Sequence, residues 1–212
     1  MGTIHLIRHG QASFGAADYD QLSELGTEQA TALGVSWEAS GWAPTDAVAG
    51  GMKRHAQTAI AAIDASGGDG YDVDARWDEY DHLALARATD PTALGADPKA
   101  FQASLNRAIT AWMGGDTPAG ETYVQFRGRV LAAFEQVVSQ ATSGRSVAVF
   151  TSGGPIAAVV SHLLTGDDSL FQRLNDVVIN ASVTTVIVGQ SGTRLLAFNE
   201  HAHLPRDMMT FR

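Results

Sequence analysis

A short apolar run at residues 3–7 constrains the fold most strongly. Its sequence, Thr-Ile-His-Leu-Ile, is rich in β-branched side chains. This pattern is typical of a strand that is buried on both faces, as the strands of parallel sheets are. A second clear run at residues 146–151 and a weaker one at residues 45–49 repeat the pattern. Because helical patterns follow these runs, we predict an α/β fold.

Helix patterns occupy most of the chain between the strands. They cover five stretches: one that begins at the capped start Ser23–Gln29, and residues 52–65, 98–113, 121–141 and 156–164. Ser23 is placed to cap the first helix, which we expect to end near Gly41. Pro155 suits the first position of the last helix, where its missing N–H costs nothing. The third and fourth helices flank a glycine-rich break and predict a helical insertion.

Two β-rich runs close the sequence, at residues 182–188 and 193–198, and a glycine-containing turn joins them into a predicted hairpin. We expect residues 1–212 to form a single domain: a three-layer α/β/α sandwich with a mostly parallel central sheet and a helical insertion. A core of this size should bury roughly 70% of the surface of the unfolded chain. An edge strand of the hairpin could pair with a second copy, so a homodimer stays open.

Composition narrows the classes of function. The chain has no cysteine, which excludes disulfides, thiolate zinc sites and a cysteine nucleophile. Its net charge of −9 argues against nucleic acid or an anionic membrane as a partner. We find no signal-like amino terminus and no apolar run approaching about 18 residues, so we expect a cytoplasmic protein. The acidic stretch at residues 69–81 is most simply a solvated loop.

Polar groups suited to phosphate follow three of the predicted strands. Arg8 and His9 come directly after the first strand, and Gly10 would let the chain turn sharply there. Arg54 begins the helix after the second strand, and a Ser-Gly-Gly turn with Ser152 and Gly153 follows the third. Ligands of open α/β sheets bind at these strand ends. Arginine forks and the N–H groups of a helix start both bind phosphate oxygens, so we predict a phosphate site.

The same residues could perform chemistry on a phosphoester. A neutral His9 could attack phosphorus and carry the phosphoryl group as a covalent intermediate. Glu79, beside Asp78, is the best proton donor for the leaving alkoxide, since clustered carboxylates with partial burial have raised pKa values. The alternative is structural: an arginine that caps a strand end and a histidine on the surface.

Matches to a known family extend along nearly the whole chain. In order they are residues 7–11 (Ile-Arg-His-Gly-Gln), the helix start at 22–30, residues 53–59 (Lys-Arg-His-Ala-Gln-Thr-Ala), the segment of Glu79, residues 120–122 with Arg129, and Asn199 with His203 and Leu204. The chain thus resembles the histidine phosphatase superfamily, in the branch of the cofactor-dependent phosphoglycerate mutases and related broad-specificity phosphatases. An Arg-His-Gly tripeptide alone is weak, but the later Arg-x-x-Gln-Thr-Ala makes the resemblance specific.

The resemblance implies roles for individual residues. His9 would be the phosphorylated nucleophile, Arg8 and Arg54 phosphate ligands, and Glu79 the proton donor. Gly10 and Gln11 would line the phosphate pocket. For Glu121 and Arg129, a substrate role and a structural role as helix start and surface arginine are equally open.

One position departs from the family. The resemblance implies a charged histidine before the Gly-Gly turn, but Ser152 stands there. A serine donates one neutral hydrogen bond, and losing one such oxyanion donor typically costs about 10²- to 10³-fold in rate. His82 could reach the site and supply the missing imidazole. Otherwise Ser152 could cap the helix that follows. We therefore count Ser152, Gly153 and His82 as candidate substrate-binding residues.

Three functions remain open at this stage. The first is a phosphatase of small phosphoesters, and the second is a mutase that returns the phosphoryl group to its substrate. The third is a degenerate member that binds a phosphorylated ligand or a protein with little turnover. Residues 64–120 form a modest insertion without the basic character of mutases, which favours hydrolysis. We expect no cofactor and no metal site, and we expect specificity to come from residues 11–21 and 67–120.

Overall fold

A six-stranded sheet forms the centre of the part of the chain that the computed structural model describes, residues 1–13, 20–92, 98–116 and 120–211. In spatial order the strands are β3 (Asp72–Val73), β2 (Asp46–Ala49), β4 (Ser146–Thr151), β1 (Gly2–Arg8), β5 (Val183–Gly189) and β6 (Gly192–Glu200). The first four are parallel, and the β5–β6 hairpin adds two antiparallel strands beside β1. This arrangement confirms the mostly parallel sheet and the hairpin.

Helices cover both faces of the sheet. On one face lie α1 (Glu24–Ser40) and α2 (Lys53–Ser66), which pack on Ile7 and Phe150. The other face carries α3 (His82–Thr89), α4 (Pro98–Met113), α5 (Tyr123–Gln140), α6 (Gly153–Thr165) and α7 (Phe171–Asn175), packed on Ile4, Leu6 and Val149. Strand residues alternate between the two cores because successive side chains point to opposite faces. The predicted three-layer sandwich is confirmed.

Local signals account for the ends of several helices. Ser23 caps α1 by accepting a hydrogen bond from the N–H of Gly26 at 3.0 Å, and Gly41 ends it with φ of 65°. Thr122 and Gln125 form a reciprocal capping box at the start of α5. Pro155 occupies the third position of α6, not the predicted first, because the helix already begins at Gly153. Its missing N–H is still one of the four without a partner inside the helix.

The acidic stretch at residues 69–81 is where the structure departs most from expectation. Its first half is a surface segment that contains β3, which pairs with β2. The strand β3 is too short to show a periodic pattern in the sequence. Its second half is no solvated loop, because Trp77 and Tyr80 are buried in the larger core. The helices α3 and α7 were not predicted either. Part of the predicted break at residues 114–118 lies outside the described residues.

None of the helices described is long and apolar enough to cross a membrane.

Candidate active site

The carboxyl ends of β1 and β4 bring most of the predicted residues to one cavity. The two strands are parallel neighbours, and Arg8 pairs in register with Thr151. A cavity of about 170 Å³ opens above these ends. Its walls include six of the predicted site residues: Arg8, His9, Arg54, Glu79, His82 and Gly153. The position of the cavity follows the rule for ligand sites in open α/β sheets.

His9 is held as a neutral imidazole. Its side chain is 7% exposed, and Nδ1 lies 2.7 Å from the carbonyl oxygen of Gly10. A carbonyl only accepts, so the proton is on Nδ1 and the lone pair is on Nε2. Burial, followed by the charges of Arg54 and Arg8, holds the pKa of His9 well below its ordinary value. Its carbonyl accepts from Asn180 Nδ2 at 3.1 Å, which fixes the backbone.

Both arginines are oriented by other groups before any ligand binds. Arg54 is 5% exposed, and its Nη1 forms an ion pair with Asp20 at 2.8 Å. Arg8 donates from Nη1 to the carbonyl oxygens of Val178 and Phe211, the latter at 2.9 Å. The carboxy-terminal segment therefore forms part of the cavity wall beside Arg8.

Glu79 is held against the start of α6. Its carboxylate accepts hydrogen bonds from the N–H of Gly154 at 3.0 Å and of Tyr80 at 3.2 Å. Burial raises the pKa of Glu79, which suits a proton donor. A Cβ at position 154 would lie 2.1 Å from Glu79 Oε1, so the close approach requires glycine there. The N–H of Gly154, predicted to face phosphate as part of the Gly-Gly turn, binds Glu79 instead.

Ser152 contacts a histidine that sequence reasoning did not single out. The side chains of Ser152 and His55 are both fully buried, and Ser152 Oγ lies 2.7 Å from His55 Nε2. Ser152 occupies the N-cap position of α6, but its side chain makes no hydrogen bond to that helix, so the expected side-chain cap is absent. The centroid of the His55 ring lies 5.8 Å from that of His9. The available signal was the position of His55, directly after Arg54.

His82 was the predicted substitute for the missing imidazole. It lines the cavity from the start of α3, and burial lowers its pKa to about 4. The imidazole that contacts Ser152 belongs to His55. His82 therefore remains a candidate substrate contact.

Gly10 and Gln11 lie against α1, outside the lining of the cavity. A Cβ on Gly10 would lie 2.2 Å from the carbonyl oxygen of Gly26, so glycine is needed here for space, not for the predicted sharp turn. The N–H of Gln11 donates to Gln29 Oε1 at 2.8 Å, and its side-chain oxygen accepts from Ser23 Oγ at 2.9 Å. Gln11 thus fixes the start of α1.

Glu121 and Arg129 favour the structural reading. They form a two-bond ion pair at 2.6 and 3.0 Å. Arg129 also donates to the carbonyl oxygens of Arg76 at 2.9 Å and Asp78 at 2.7 Å. These bonds hold the segment that leads into Glu79.

Several walls of the cavity come from residues that sequence reasoning missed. They are Ala12, Tyr80, Phe101, Gln102, Leu105, Asn175, Asp176 and Phe211. Asn175 donates to the hydroxyl of Tyr80 at 3.1 Å, which joins α7 to the segment of Glu79. Among the described residues, no three histidine or carboxylate side chains are grouped to hold a metal ion.

Comparison with known proteins gives the family. The model of the histidine phosphatase superfamily, branch 1, matches residues 4–201. The chain belongs to this superfamily. No curated protein matches the sequence significantly.

Solved structures share the fold of this histidine phosphatase superfamily member. A mycobacterial glucosyl-3-phosphoglycerate phosphatase in complex with VO3 is 23% identical, with a TM-score of 0.69 over 94% of this chain and 99% of that one. The phosphoglycerate mutase of Bacillus anthracis is 20% identical, with a TM-score of 0.70 over 95% and 94%. The phosphoserine phosphatase of Entamoeba histolytica is 14% identical, with a TM-score of 0.70 over 97% and 100%. At these identities the likeness establishes the fold.

Proposed function

We propose that this chain hydrolyses a small phosphomonoester through a phosphohistidine on His9. The observation that carries the proposal is the state of His9, whose Nδ1 is held by the Gly10 carbonyl beside two arginines. Membership of the histidine phosphatase superfamily supports it. Structures of the same fold include phosphatases of glucosyl-3-phosphoglycerate and of phosphoserine, which adds further support.

The proposed reaction has two steps. In the first, Arg8 and Arg54 hold the phosphoryl oxygens, His9 Nε2 forms a bond to phosphorus, and the bond to the ester oxygen breaks. Glu79 gives its proton to the departing alkoxide. In the second, Glu79 takes a proton from water as the water oxygen bonds to phosphorus. The bond from phosphorus to His9 breaks, so phosphate leaves and neutral His9 is restored.

The charge of the cavity favours hydrolysis over a mutase reaction. A mutase must hold a second phosphate or carboxylate while the phosphoryl group stays on the enzyme. Among the described lining residues, Arg8 and Arg54 carry the permanent positive charges, and both serve the first phosphate. The lining also includes Asp176, which disfavours a second anion. We therefore propose a substrate with one phosphate group.

We propose that residues 1–212 form a single domain and that this domain binds a small phosphorylated molecule. In support, β1 from the start of the chain pairs directly with β5, and β6 follows beside it.

An assay of wild type and His9→Ala tests the proposal. We expect wild type to hydrolyse an aryl phosphate and to show a mass increase of one phosphoryl group on His9 after rapid quenching. His9→Ala should lose both signals, with a rate loss of about 10³-fold or more. His162→Ala, an exposed histidine on α6, is the matched control and should behave as wild type. A folded wild type without turnover and without phosphohistidine would leave the degenerate binding protein as the surviving alternative.

A further inference from the structure

No histidine follows β4, but an imidazole from another element lies at the same place. Ser152 stands where the family resemblance implies a histidine, and a fully buried imidazole from another element contacts its hydroxyl. We propose that His55, a residue of α2, takes the place of the histidine that is missing at position 152 and acts on the site as a positioning residue. The role depends on the proposed function, since it acts on the environment of His9.

The order of the strands in the sheet places His55 beside Ser152. The strand β2 lies beside β4, and α2 begins four residues after β2 ends. Arg54 and His55 are therefore in the first turn of a helix that starts at the same sheet edge as Ser152. Arg54 reaches the cavity, while His55 lies behind His9 with ring centroids 5.8 Å apart. One turn of helix thus supplies both a phosphate ligand and an imidazole.

The space for His55 is made by Gly50. A Cβ at position 50 would lie 2.2 Å from His55 Nδ1 and 2.8 Å from Asp78 Oδ1. Any other residue at position 50 would displace both groups. The opposite side of the ring is filled by Ser152, at 2.7 Å from Nε2. A histidine at position 152 would therefore need the volume that His55 already occupies, so the site holds one imidazole or the other.

Asp78 gives His55 a counterion. Its Oδ1 lies 3.7 Å from His55 Nδ1 and accepts a hydrogen bond from the N–H of Gly51 at 2.5 Å. Its backbone carbonyl is held by Arg129 at 2.7 Å. A carboxylate on this side favours the proton on Nδ1, which leaves Nε2 to accept from the hydroxyl of Ser152. The order Asp78, His55, Ser152 resembles the way a carboxylate orients an imidazole in hydrolytic triads.

Charge is what His55 can add and Ser152 cannot. Burial lowers the pKa of His55, the Asp78 carboxylate opposes that shift, and Arg54 adds to it. Asp20 is the other charged group that acts on the ring, and it also favours the protonated form. A phosphate dianion bound at Arg54 would shift the balance towards imidazolium. His55 would then stabilise the transferring phosphoryl group from behind His9. Its positive charge would lie outside the lining of the cavity.

Relocating the imidazole tests this proposal. His55→Ala should lower kcat for an aryl phosphate by about 10²-fold, the loss typical of one electrostatic stabiliser. The double variant His55→Ala with Ser152→His should recover activity to within about tenfold of wild type. His55→Gln can keep a bond to Ser152 but carries no charge, so it should be as slow as His55→Ala. His162→Ala is again the control.

A second readout needs no turnover. The charge of His55 contributes to the low pKa of His9. NMR titration of the His9 ring should therefore show a higher pKa in His55→Ala and in His55→Gln than in wild type. A His55→Gln protein with full activity and an unchanged His9 pKa would overturn the proposal, because His55 would then only fill space. If His55→Ala does not fold, His55→Gln and the double variant decide.

Failure of the proposed function would look different. If wild type releases no phosphate from any phosphoester, calorimetry with inorganic phosphate replaces the rate assay. His55→Ala should then bind phosphate about tenfold more weakly, and the double variant should recover the affinity. Equal affinities in the three proteins would overturn the role of His55. Loss of turnover in His9→Ala with full activity in His55→Gln would overturn that role alone and leave the proposed function standing.

Discussion

The contact between Gly154 and Glu79 gives the sharpest test of the proton donor. In Gly154→Ala the new Cβ would lie 2.1 Å from Glu79 Oε1 and 2.8 Å from Tyr80 Cε1. The Tyr80 ring is buried among aromatic side chains and has little room to move. The carboxylate must therefore withdraw by more than about 1 Å to reach an ordinary contact distance. A displacement of this size can cost about 10²-fold in rate.

The nature of the substrate separates this effect from a general loss of structure. An alkyl phosphate needs a proton on its leaving oxygen, so we expect kcat/KM of Gly154→Ala, which reports the transfer of the phosphoryl group to His9, to fall about 10²-fold. An aryl phosphate with a weakly basic leaving group needs little protonation, and its kcat/KM should fall less than tenfold. The control is Gly128→Ala on the exposed face of α5, where nothing lies within 4 Å of the added methyl group. That change should leave both rates unaltered and stabilise the fold by up to about 1 kcal/mol.

Equal losses in kcat/KM on both substrates would refute the assignment of Glu79 as the acid. So would full activity of a folded Gly154→Ala protein on the alkyl phosphate. Thermal melts of the two variants separate these outcomes from unfolding, since overpacking of this kind costs about 1–3 kcal/mol.

Three further outcomes follow from the same geometry. The pKa of Glu79 is raised, and a proton donor must be protonated, so kcat/KM of wild type should fall as pH rises through that pKa. The pH–rate profile of Glu79→Gln should lack this alkaline limb. Its maximal rate should be at least about 10²-fold lower than that of wild type. Arg129→Leu removes the bonds that hold the segment before Glu79, so thermal melts should show a loss of about 2–4 kcal/mol and kcat should fall as well. Ser23→Ala removes the cap of α1 and should cost about 1 kcal/mol in denaturant unfolding without changing kcat.

The elements that sequence could predict are those with strong local signals. The strands β1 and β4 have mostly apolar, β-branched runs, and α1 has a serine before it and a left-handed glycine after it. The elements that were missed have no such signal. Two residues form β3 and five form α7, and both are stabilised by neighbours distant in sequence.

The site divides in the same way. Arg8, His9 and Arg54 belong to motifs that follow strands, Glu79 belongs to a segment that matches the family, and the structure brings all four to one cavity. The absence of a histidine at position 152 was visible in the sequence, but its replacement was not. His55 and Ser152 are separated by 97 residues, and only the packing of β2 beside β4 brings them into contact. Residues such as Phe211 likewise line the cavity only because the tertiary fold brings the carboxy-terminal segment beside Arg8.

The return of the chain to the cavity has a practical consequence. Residues 208 and 210 are bound by the side chain of Gln29, and the carbonyl of Phe211 accepts from Arg8. A chain segment fused after Phe211 would begin beside the substrate-facing wall. The amino group of Met1 lies near Ser143, at the opposite edge of the sheet. Fusions placed before Met1 should therefore leave the activity unaltered, whereas fusions after Phe211 should depress it.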